Sequence, residues 1–197
     1  ILERTSVIVT KDYVEARFEA GLPAFGRKVA GKHASEMLLS EIPAIAGDSL
    51  FFDVINEESL KEHIHCCEDA DALRNKLREM GLIAFVADNS ILPRKSGVNP
   101  RPLKDAIPFE APETLRKRIE LPNCTIEGMG IPEGINLIVG GGYHGKSTLI
   151  NAVELGIYNH IPGDGREFVV SEPDSVKIRA EDGRNIEKTD ISPFISN

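Results

Sequence analysis

Residues 140–148 have the sequence GGGYHGKST, in which Gly140, Gly145, Lys146 and Ser147 complete the pattern Gly-x-x-x-x-Gly-Lys-Ser. This is the pattern of a P-loop, whose glycines allow successive backbone N–H groups to turn toward phosphate oxygens. The lysine supplies a positive charge for the β- and γ-phosphates, and the serine hydroxyl is a ligand for Mg²⁺. The pattern therefore predicts a site for a nucleoside triphosphate with Mg²⁺ at Ser147. The predicted phosphate-binding residues are Gly140, Gly141, Gly142, Tyr143, His144, Gly145, Lys146, Ser147 and Thr148.

The residues on either side of this loop have the composition that a P-loop requires. Residues 135–139, INLIV, form a β-branched apolar run that is typical of a buried parallel strand. Residues 146–155 favour a helix, with Leu149, Ile150 and Val153 as its apolar positions and Gly156 as its end. Strand, glycine loop and helix together distinguish a P-loop from a glycine-rich turn.

Four further elements are predicted upstream of the loop. Residues 13–20 alternate between apolar and polar, which indicates a half-buried strand. A helix over residues 33–42 should end or kink at Pro43. A longer helix begins near Glu57, carries an apolar stripe at steps of three and four, and ends at Gly81. The apolar run 82–87 that follows is predicted to be a buried strand. The residues of the stripe are Leu60, Ile64, Cys67, Ala70, Leu73, Leu77 and Met80.

Residues 88–112 contain five prolines and few apolar side chains, which is typical of a connection between domains. We therefore predict a small N-terminal α/β domain over residues 1–106, which includes a basic, Pro-rich connection at 88–106. Residues 107–197 then form a second unit that contains the P-loop. The run LIAFVAD at 82–88 resembles a strand that ends in a metal-binding carboxylate, but this boundary assigns it to the first domain.

The net charge of −8 argues against broad nucleic-acid binding. Residues 94–118 are an exception, with 7 Lys and Arg against 3 Asp and Glu, and we call them the basic island. The basic island could contact RNA or DNA phosphates, or it could be a solvated linker or an inter-domain ion-pair surface. The lack of interleaved aromatic residues favours the second interpretation.

The rest of the composition indicates a core-forming cytoplasmic protein. No apolar run reaches the roughly 20 residues that span a bilayer, so no membrane partner is expected. Three cysteines do not make a disulfide framework, which favours a reducing compartment. His63 and Cys67 lie one helical turn apart, but zinc needs four ligands, and Cys67 is better explained by core packing. The start without methionine suggests a fragment or a processed form.

Several motifs resemble one family. They include GMGIP, LIVGGGYHGKSTL, YNHIPGDGREFVV, KIRAEDGR and DISPFI, and, nearer the N-terminus, LPAFGRK and FVADNSILPRKSG. The chain is similar to the predicted ATPases of the ABC class, which are multi-domain P-loop proteins distinct from transporter subunits. The resemblance implies an ATP site with Mg²⁺ at residues 140–148 and the first part of an ABC-type P-loop NTPase domain at 107–197. It also implies that ATP binding and hydrolysis drive domain movement, and that homo-oligomers form around sandwiched nucleotides.

The resemblance also draws attention to GDGRE at 163–167 and RAEDGR at 179–184. Their charged residues either line the nucleotide or an interface, or lie in solvated surface turns. These residues are Asp164, Arg166, Glu167, Asp182 and Arg184.

The carboxylate and signature loop that hydrolysis requires are not found after Ser147. FVVSE at 168–172 reads better as an ordinary strand end, so the catalytic residues are unknown and expected beyond Asn197. We therefore expect ATP hydrolysis by these 197 residues alone to be absent. Glu172 and Asp88 are the alternatives if a carboxylate has been misplaced.

Other functions remain open at this point. The principal alternative is a nucleotide-gated nucleic-acid-binding module with little turnover. A small-molecule kinase would need an acceptor-binding lid, and a GTPase would need a guanine-reading Asn-Lys-x-Asp sequence. Phe109 is either an aromatic residue for stacking on adenine or a plain core residue.

Overall fold

The computed structural model describes residues 6–178, and Asp182 and Arg184 lie outside this range. The described residues form a mixed α/β fold, which confirms the predicted fold class. The strands are β1 Val7–Val9, β2 Val14–Ala16, β3 Ala24–Phe25, β4 Lys28–Val29, β5 Leu82–Ala87, β6 Arg94–Ser96, β7 Asn99–Pro102, β8 Arg116–Glu120, β9 Thr125–Pro132 and β10 Val169–Ser171. The α-helices are α1 Gly31–Glu36, α2 Ile42–Leu50, α3 Glu57–Glu79 and α4 Lys146–Leu155.

A four-stranded antiparallel sheet in the order β10-β5-β9-β8 lies between two helices. Phe85 and Val170 pair across β5 and β10, and both belong to the buried cluster that includes Leu73 and Leu77 of α3. The next pair, Val86 and Val169, belongs to a second cluster, on the side of α4. Because both faces of β5 are covered, its sequence is apolar without alternation.

Helix α3 begins and ends at local signals. The Asn56 side chain accepts a hydrogen bond of 2.8 Å from the Ser59 amide, and Gly81 has a φ of +64° just beyond the C-terminus. Leu73 and Leu77 are fully buried, as the apolar stripe predicts. The prediction that the first half of the stripe is buried is wrong at Ile64, whose side chain is 45% exposed. On that half of the helix the buried cysteine is Cys66 rather than Cys67.

The N-terminal elements differ in two ways from the sequence prediction. The predicted half-buried strand is reduced to Val14–Ala16, and Phe18 is 65% exposed. The predicted helix does not end at Pro43. A π-helical turn over Met37–Glu41 joins α1 to α2, and Pro43 lies in the first turn of α2. The Ile42 amide still donates to the Met37 carbonyl, and Pro43, which has no N–H to donate, follows where π-helical hydrogen bonding changes to α-helical.

Residues 82–87, which were predicted to belong to the first domain, lie in one sheet with strands from beyond residue 106. β5 pairs with β9 on one side and with β10 on the other, so all three strands belong to one sheet. The sheet therefore does not divide at residue 106. The Pro-rich residues form the β6–β7 hairpin, and the segment before the hairpin is buried at Ser90 and Leu92. Their prolines and polar residues build a hydrogen-bonded hairpin rather than an irregular connection.

Residues 135–139 do not form the predicted buried strand. They have no regular secondary structure, and Ile135, Leu137 and Val139 are at least 74% exposed. A strand needs a hydrogen-bonded neighbour, and within residues 6–178 none of the described strands pairs with this segment. The apolar composition therefore shows that the segment is suited to a sheet, but it does not show which strand would pair with it.

Candidate functional site

The loop of residues 140–145 leads directly into the start of α4. The first hydrogen bond of the helix runs from the Leu149 amide to the Gly145 carbonyl at 2.9 Å. The preceding amides have no acceptor within the helix, and the helix begins without a side-chain cap. These N–H groups and the positive end of the helix dipole create a site that favours an anion.

The backbone of the loop enters the left-handed region at three points. Gly140 has a φ of +153°, Tyr143 of +62° and Gly145 of +78°. Glycine adopts these angles without strain, but at Tyr143 the conformation costs roughly 1–2 kcal/mol. The Tyr143 side chain is fully exposed and therefore gains nothing from burial. The loop thus keeps its turned conformation at a small local cost.

Lys146 and His144 both fold over the glycines of the loop. The Lys146 ammonium donates a hydrogen bond to the Gly141 carbonyl, so its charge lies against the loop rather than in open solvent. A Cβ added at Gly141 would lie 3.2 Å from His144 Cε1, so the imidazole covers this glycine. Both side chains line a cavity of about 480 Å³ beside the loop.

Two residues that sequence reasoning missed hold the far end of α4. Arg74 of α3 donates to the Gly156 carbonyl at 3.2 Å, and the Ser171 amide of β10 donates to the same oxygen at 3.0 Å. The Ser171 hydroxyl also donates to the Val153 carbonyl at 2.5 Å. A positive charge at a helix C-terminus stabilises the helix dipole. No local sequence pattern identifies Arg74, since it lies 82 residues from its acceptor.

Gly156 ends α4 as predicted. Its glycine is not needed for a left-handed turn. Its φ is −63°, which any residue adopts. A Cβ at this position would approach Ser171 Oγ to 2.6 Å. The glycine is therefore required by the close contact between the helix end and β10.

Ser147 lies on the other side of the helix start and borders a second cavity of about 680 Å³ with Asn136, Asn151 and Lys177. Mg²⁺ in nucleotide sites binds few protein oxygens and keeps water and phosphate ligands. One exposed hydroxyl next to an anion-binding helix start fits that ligand set. Within the described residues, no group of three or more His, Cys, Asp or Glu side chains could hold a metal, which leaves His63 and Cys67 without partner ligands.

Asp164 and Arg166 hold the segment before the β6–β7 hairpin rather than lining the P-loop cavity. Arg94 donates to the Asp164 carboxylate and to its carbonyl, each at 2.7 Å, and His160 Nδ1 lies 2.7 Å from the same carboxylate. Arg166 is buried and donates to the Leu92 carbonyl through Nε at 3.0 Å and also through Nη2. These contacts join the loop after α4 to residues about 70 positions earlier.

The charges of this group shift the pKa of two members. Burial alone would raise the pKa of Asp164, but the hydrogen bond with His160 and the charge of Arg94 outweigh it and lower that pKa. Burial lowers the pKa of Arg166 to about 10, with a smaller contribution from the nearby charge of Arg94. Arg94 and Arg166 repel each other, so Asp164 is the anion that keeps them together.

Glu167, the third charged residue of GDGRE, faces a different cavity. That cavity has a volume of about 580 Å³ and lies between α3 and residues 123–124 and 162–168. Burial raises the pKa of Cys66 to about 11, with a smaller contribution from the charge of Glu167. A protonated, buried thiol is a packing group. Glu167 is therefore not brought together with the P-loop.

The two alternative carboxylates make structural contacts. Asp88 accepts a hydrogen bond of 2.6 Å from the Ala111 amide and forms an ion pair of 3.2 Å with Arg116. Glu172 pairs with Arg78 of α3 at 3.4 Å. Neither borders the cavities that contain Lys146.

Part of the basic island is engaged within the protein. Arg94 binds Asp164, Arg116 binds Asp88, and Arg118 lies 3.5 Å from Glu127. The interpretation of the island as an ion-pair surface accounts for these three arginines. No helix in the described part of the chain is long and apolar enough to span a membrane.

Comparisons with known proteins agree with the geometry of this site. A family model described as the P-loop domain of ABC ATPases matches residues 56–197, and a model described as the N-terminal part of ATPases of the ABC class matches residues 1–53. The chain belongs to the ABC-class ATPases, a family of P-loop proteins. It is 41% identical over 108 residues to an uncharacterized protein of Methanocaldococcus jannaschii. The aligned region covers 50% of this chain and 24% of that protein. The chain thus spans about a quarter of this curated relative.

Proposed function

We propose that the protein binds ATP with Mg²⁺ through residues 140–148 and that the whole protein hydrolyses it. The observation that carries this proposal is the uncapped start of α4, preceded by a glycine loop with Lys146 folded over it. A triphosphate would replace the Gly141 carbonyl as the partner of the Lys146 ammonium. The amides of residues 145–148 would then donate to phosphate oxygens, which are stronger acceptors because they carry charge.

Mg²⁺ would be held by the Ser147 hydroxyl together with the phosphates. The ion would neutralise phosphate charge, and the protein's own part is to fix the position of the β- and γ-phosphates. Thr148, which borders the cavity of about 480 Å³, would face the phosphate end of the nucleotide. Tyr143, at the exposed tip of the loop, would extend past the nucleotide toward a second subunit in a homo-oligomer.

We place the domain boundary at residues 54–55 instead of 106. The two family matches change there, and the elements before it pack mainly against one another. ATP binding and hydrolysis would drive movement between this N-terminal part and the P-loop domain. The three free cysteines are compatible with the reducing cytoplasm. The nucleic-acid alternative is the weaker one, since three arginines of the basic island already have acidic partners.

Turnover is the experiment that tests this function. We expect the 197-residue chain to bind ATP and to hydrolyse it no faster than background, because the carboxylate and signature loop required for positioning and charge stabilisation are expected beyond Asn197. A form extended to the length of its relatives should hydrolyse ATP, and Lys146→Ala should abolish that activity. Lys28→Ala removes the same charge from an exposed strand and should leave it intact. Steady hydrolysis by the shorter chain would overturn the proposed location of the catalytic residues.

A further inference from the structure

A further cavity lies between α4 and the β6–β7 hairpin, and we call it the hairpin cavity. Its volume of about 600 Å³ lies within the range of small-molecule sites. Thr148 borders both this cavity and the cavity beside the P-loop, so the two are neighbours. The polar residues that line the hairpin cavity are Arg94, Ser96, Thr148, Asn151, Glu154 and Arg166.

Arg166 brings a buried positive charge to this cavity. The residue is only 2% exposed, and its Nε and Nη2 groups both donate to one acceptor, the Leu92 carbonyl. Within residues 6–178, its Nη1 group makes no hydrogen bond, and no carboxylate forms an ion pair with its guanidinium. A buried charge without a direct counter-ion is unfavourable, and it is stabilised when an anion binds next to it.

The charges around Arg166 leave an excess of positive charge. Arg94 and Arg166 are two cations, and the carboxylate between them, that of Asp164, pairs with Arg94 at 2.7 Å. The repulsion from Arg94 contributes to the lowered pKa of Arg166. Glu154 is the acidic residue of the lining, and its carboxylate is bound by Lys177 at 2.7 Å. The cavity can therefore accommodate a further negative charge.

The other polar groups of the lining are suited to donate hydrogen bonds. Asn151 Oδ1 accepts a hydrogen bond of 2.6 Å from Lys177, which leaves the Nδ2 group of this side chain to donate to a ligand. Ser96 and Thr148 each contribute a hydroxyl group, which can donate as well. A phosphate group only accepts when it is fully ionised, and it forms strong hydrogen bonds with an arginine. Its tetrahedral oxygens can accept from several directions at once.

We propose that the hairpin cavity binds a phosphate, either free or carried by a small molecule other than the nucleotide, with Arg166 Nη1 and Asn151 Nδ2 as donors. The bound phosphate would connect three segments, which are the β6–β7 hairpin, α4 and the loop after α4. This site is separate from the one that holds the phosphates of ATP, because it lies on the hairpin side of α4 and does not include Lys146.

Calorimetric titration with inorganic phosphate tests the site. The P-loop can also bind phosphate, so the titration is made with wild type saturated with ATP and Mg²⁺ and, in parallel, with Lys146→Ala. Both proteins should bind phosphate at a single site and with similar dissociation constants. Phosphate binding that disappears when ATP is bound would assign the cavity to the nucleotide site and overturn the proposal. Loss of phosphate binding in Lys146→Ala would overturn it too.

Glycerol 3-phosphate in the same titrations distinguishes the two sources of the phosphate. Tighter binding of glycerol 3-phosphate than of inorganic phosphate would identify the ligand as a phosphorylated small molecule. Tighter binding of inorganic phosphate would identify it as free phosphate. Binding of neither compound to the ATP-saturated protein would overturn the proposal.

Two substitutions on the exposed face of α4 should change phosphate affinity in opposite directions. Asn151→Asp adds a negative charge to the lining and should weaken phosphate binding by about tenfold or more. Glu154→Gln removes a negative charge and should strengthen it by about threefold or more. The matched control is Glu127→Gln, since Glu127 is also paired with a cation and is similarly exposed, at 46% against 40% for Glu154. Equal effects of the two glutamine substitutions would overturn the proposal, as would unchanged affinity in Asn151→Asp.

Arg166→Gln tests the principal donor. It should abolish phosphate binding, and thermal unfolding shows whether the variant is folded. Unchanged phosphate affinity in folded Arg166→Gln would overturn the proposal. If this variant does not fold, the opposite shifts expected for Asn151→Asp and Glu154→Gln decide the matter, because damage to the fold would not tighten phosphate binding.

Discussion

Asp164 combines, at the scale of single residues, a mostly buried side chain, 18% exposed, with three polar contacts. Its carboxylate and carbonyl bind Arg94, and its carboxylate also contacts His160. Removing one partner of a buried ion pair leaves an uncompensated charge, and here two arginines would be left close together. The ion pair of Arg94 with Asp164 therefore determines whether the start of the β6–β7 hairpin remains attached to the loop after α4.

We predict that Asp164→Asn lowers the free energy of unfolding by about 3 kcal/mol at pH 7, measured by urea denaturation. The matched control is Glu127→Gln, which breaks the exposed pair with Arg118 and should cost less than about 1 kcal/mol. Equal effects of the two substitutions would contradict a buried structural role for Asp164.

The pH dependence of this difference follows from the lowered pKa of Asp164. A carboxyl group with a lower pKa in the folded than in the unfolded state stabilises the fold fully above its unfolded pKa of about 3.9. That stabilisation is lost as the pH falls through the folded pKa. The difference in unfolding free energy between the wild type and Asp164→Asn should therefore shrink as the pH falls below about 4.

The roles of Asp164 and Arg166 could not be derived from the sequence. GDGRE shows that charged residues lie in a turn, but their partners Arg94 and Leu92 are more than 65 residues away. The spacing of the P-loop, in contrast, is local, and it predicted where α4 begins and ends. The assignment of its nine residues to phosphate binding stays a prediction.

Helices α3 and α4 were predictable, at the scale of elements, because their signals lie within them. A cap at Asn56, a stop at Gly81 and an apolar period define α3 without reference to other segments. Strands depend on neighbours. Residues 82–87 pair with two strands that the sequence did not reveal. Residues 135–139 pair with no strand in the described range.

Gly128 marks the point where β9 lies closest to β5. A Cβ there would approach the Val86 carbonyl oxygen, and it would lie 2.6 Å from Ala87 Cα and 2.8 Å from Phe85 Cζ. We predict that Gly128→Ala destabilises the fold by roughly 1–3 kcal/mol through this overlap, measured by urea unfolding. Gly97→Ala, in the β6–β7 turn with open space around its Cβ, is the control and should change stability little. A neutral Gly128→Ala would contradict the pairing of β9 with β5.

At the scale of the whole molecule, residues 6–178 form a three-layer core and an N-terminal part whose elements pack mainly against one another. Many of the exposed large apolar side chains lie in that part, among them Phe18, Leu39, Phe51 and Phe52. The two family matches change between residues 53 and 56. The sequence alone placed the boundary at the prolines, because composition cannot distinguish a hydrogen-bonded hairpin from a linker.

Limited proteolysis should locate this boundary. Phe51 and Phe52 are each 64% exposed and lie where α2 ends and a single 3-10 turn over Phe52–Val54 begins, so chymotrypsin should cut there first and leave a product that starts near Asp53. The product should retain its fold, judged by circular dichroism. Parallel digestion with trypsin tests the hairpin. A first cut at Lys95 or Lys104 that released two folded halves would instead support the boundary near residue 106.

The central claim is that residues 140–148 bind the phosphates of ATP, and calorimetric titration of the 197-residue chain with ATP and Mg²⁺ tests it most directly. Lys146→Ala should raise the dissociation constant by about tenfold or more, because one charge-assisted hydrogen bond is lost. Lys28→Ala, which removes the same charge in the N-terminal part, should leave the dissociation constant unchanged. Equal ATP affinity in the wild type and Lys146→Ala, with both proteins folded, would contradict the account.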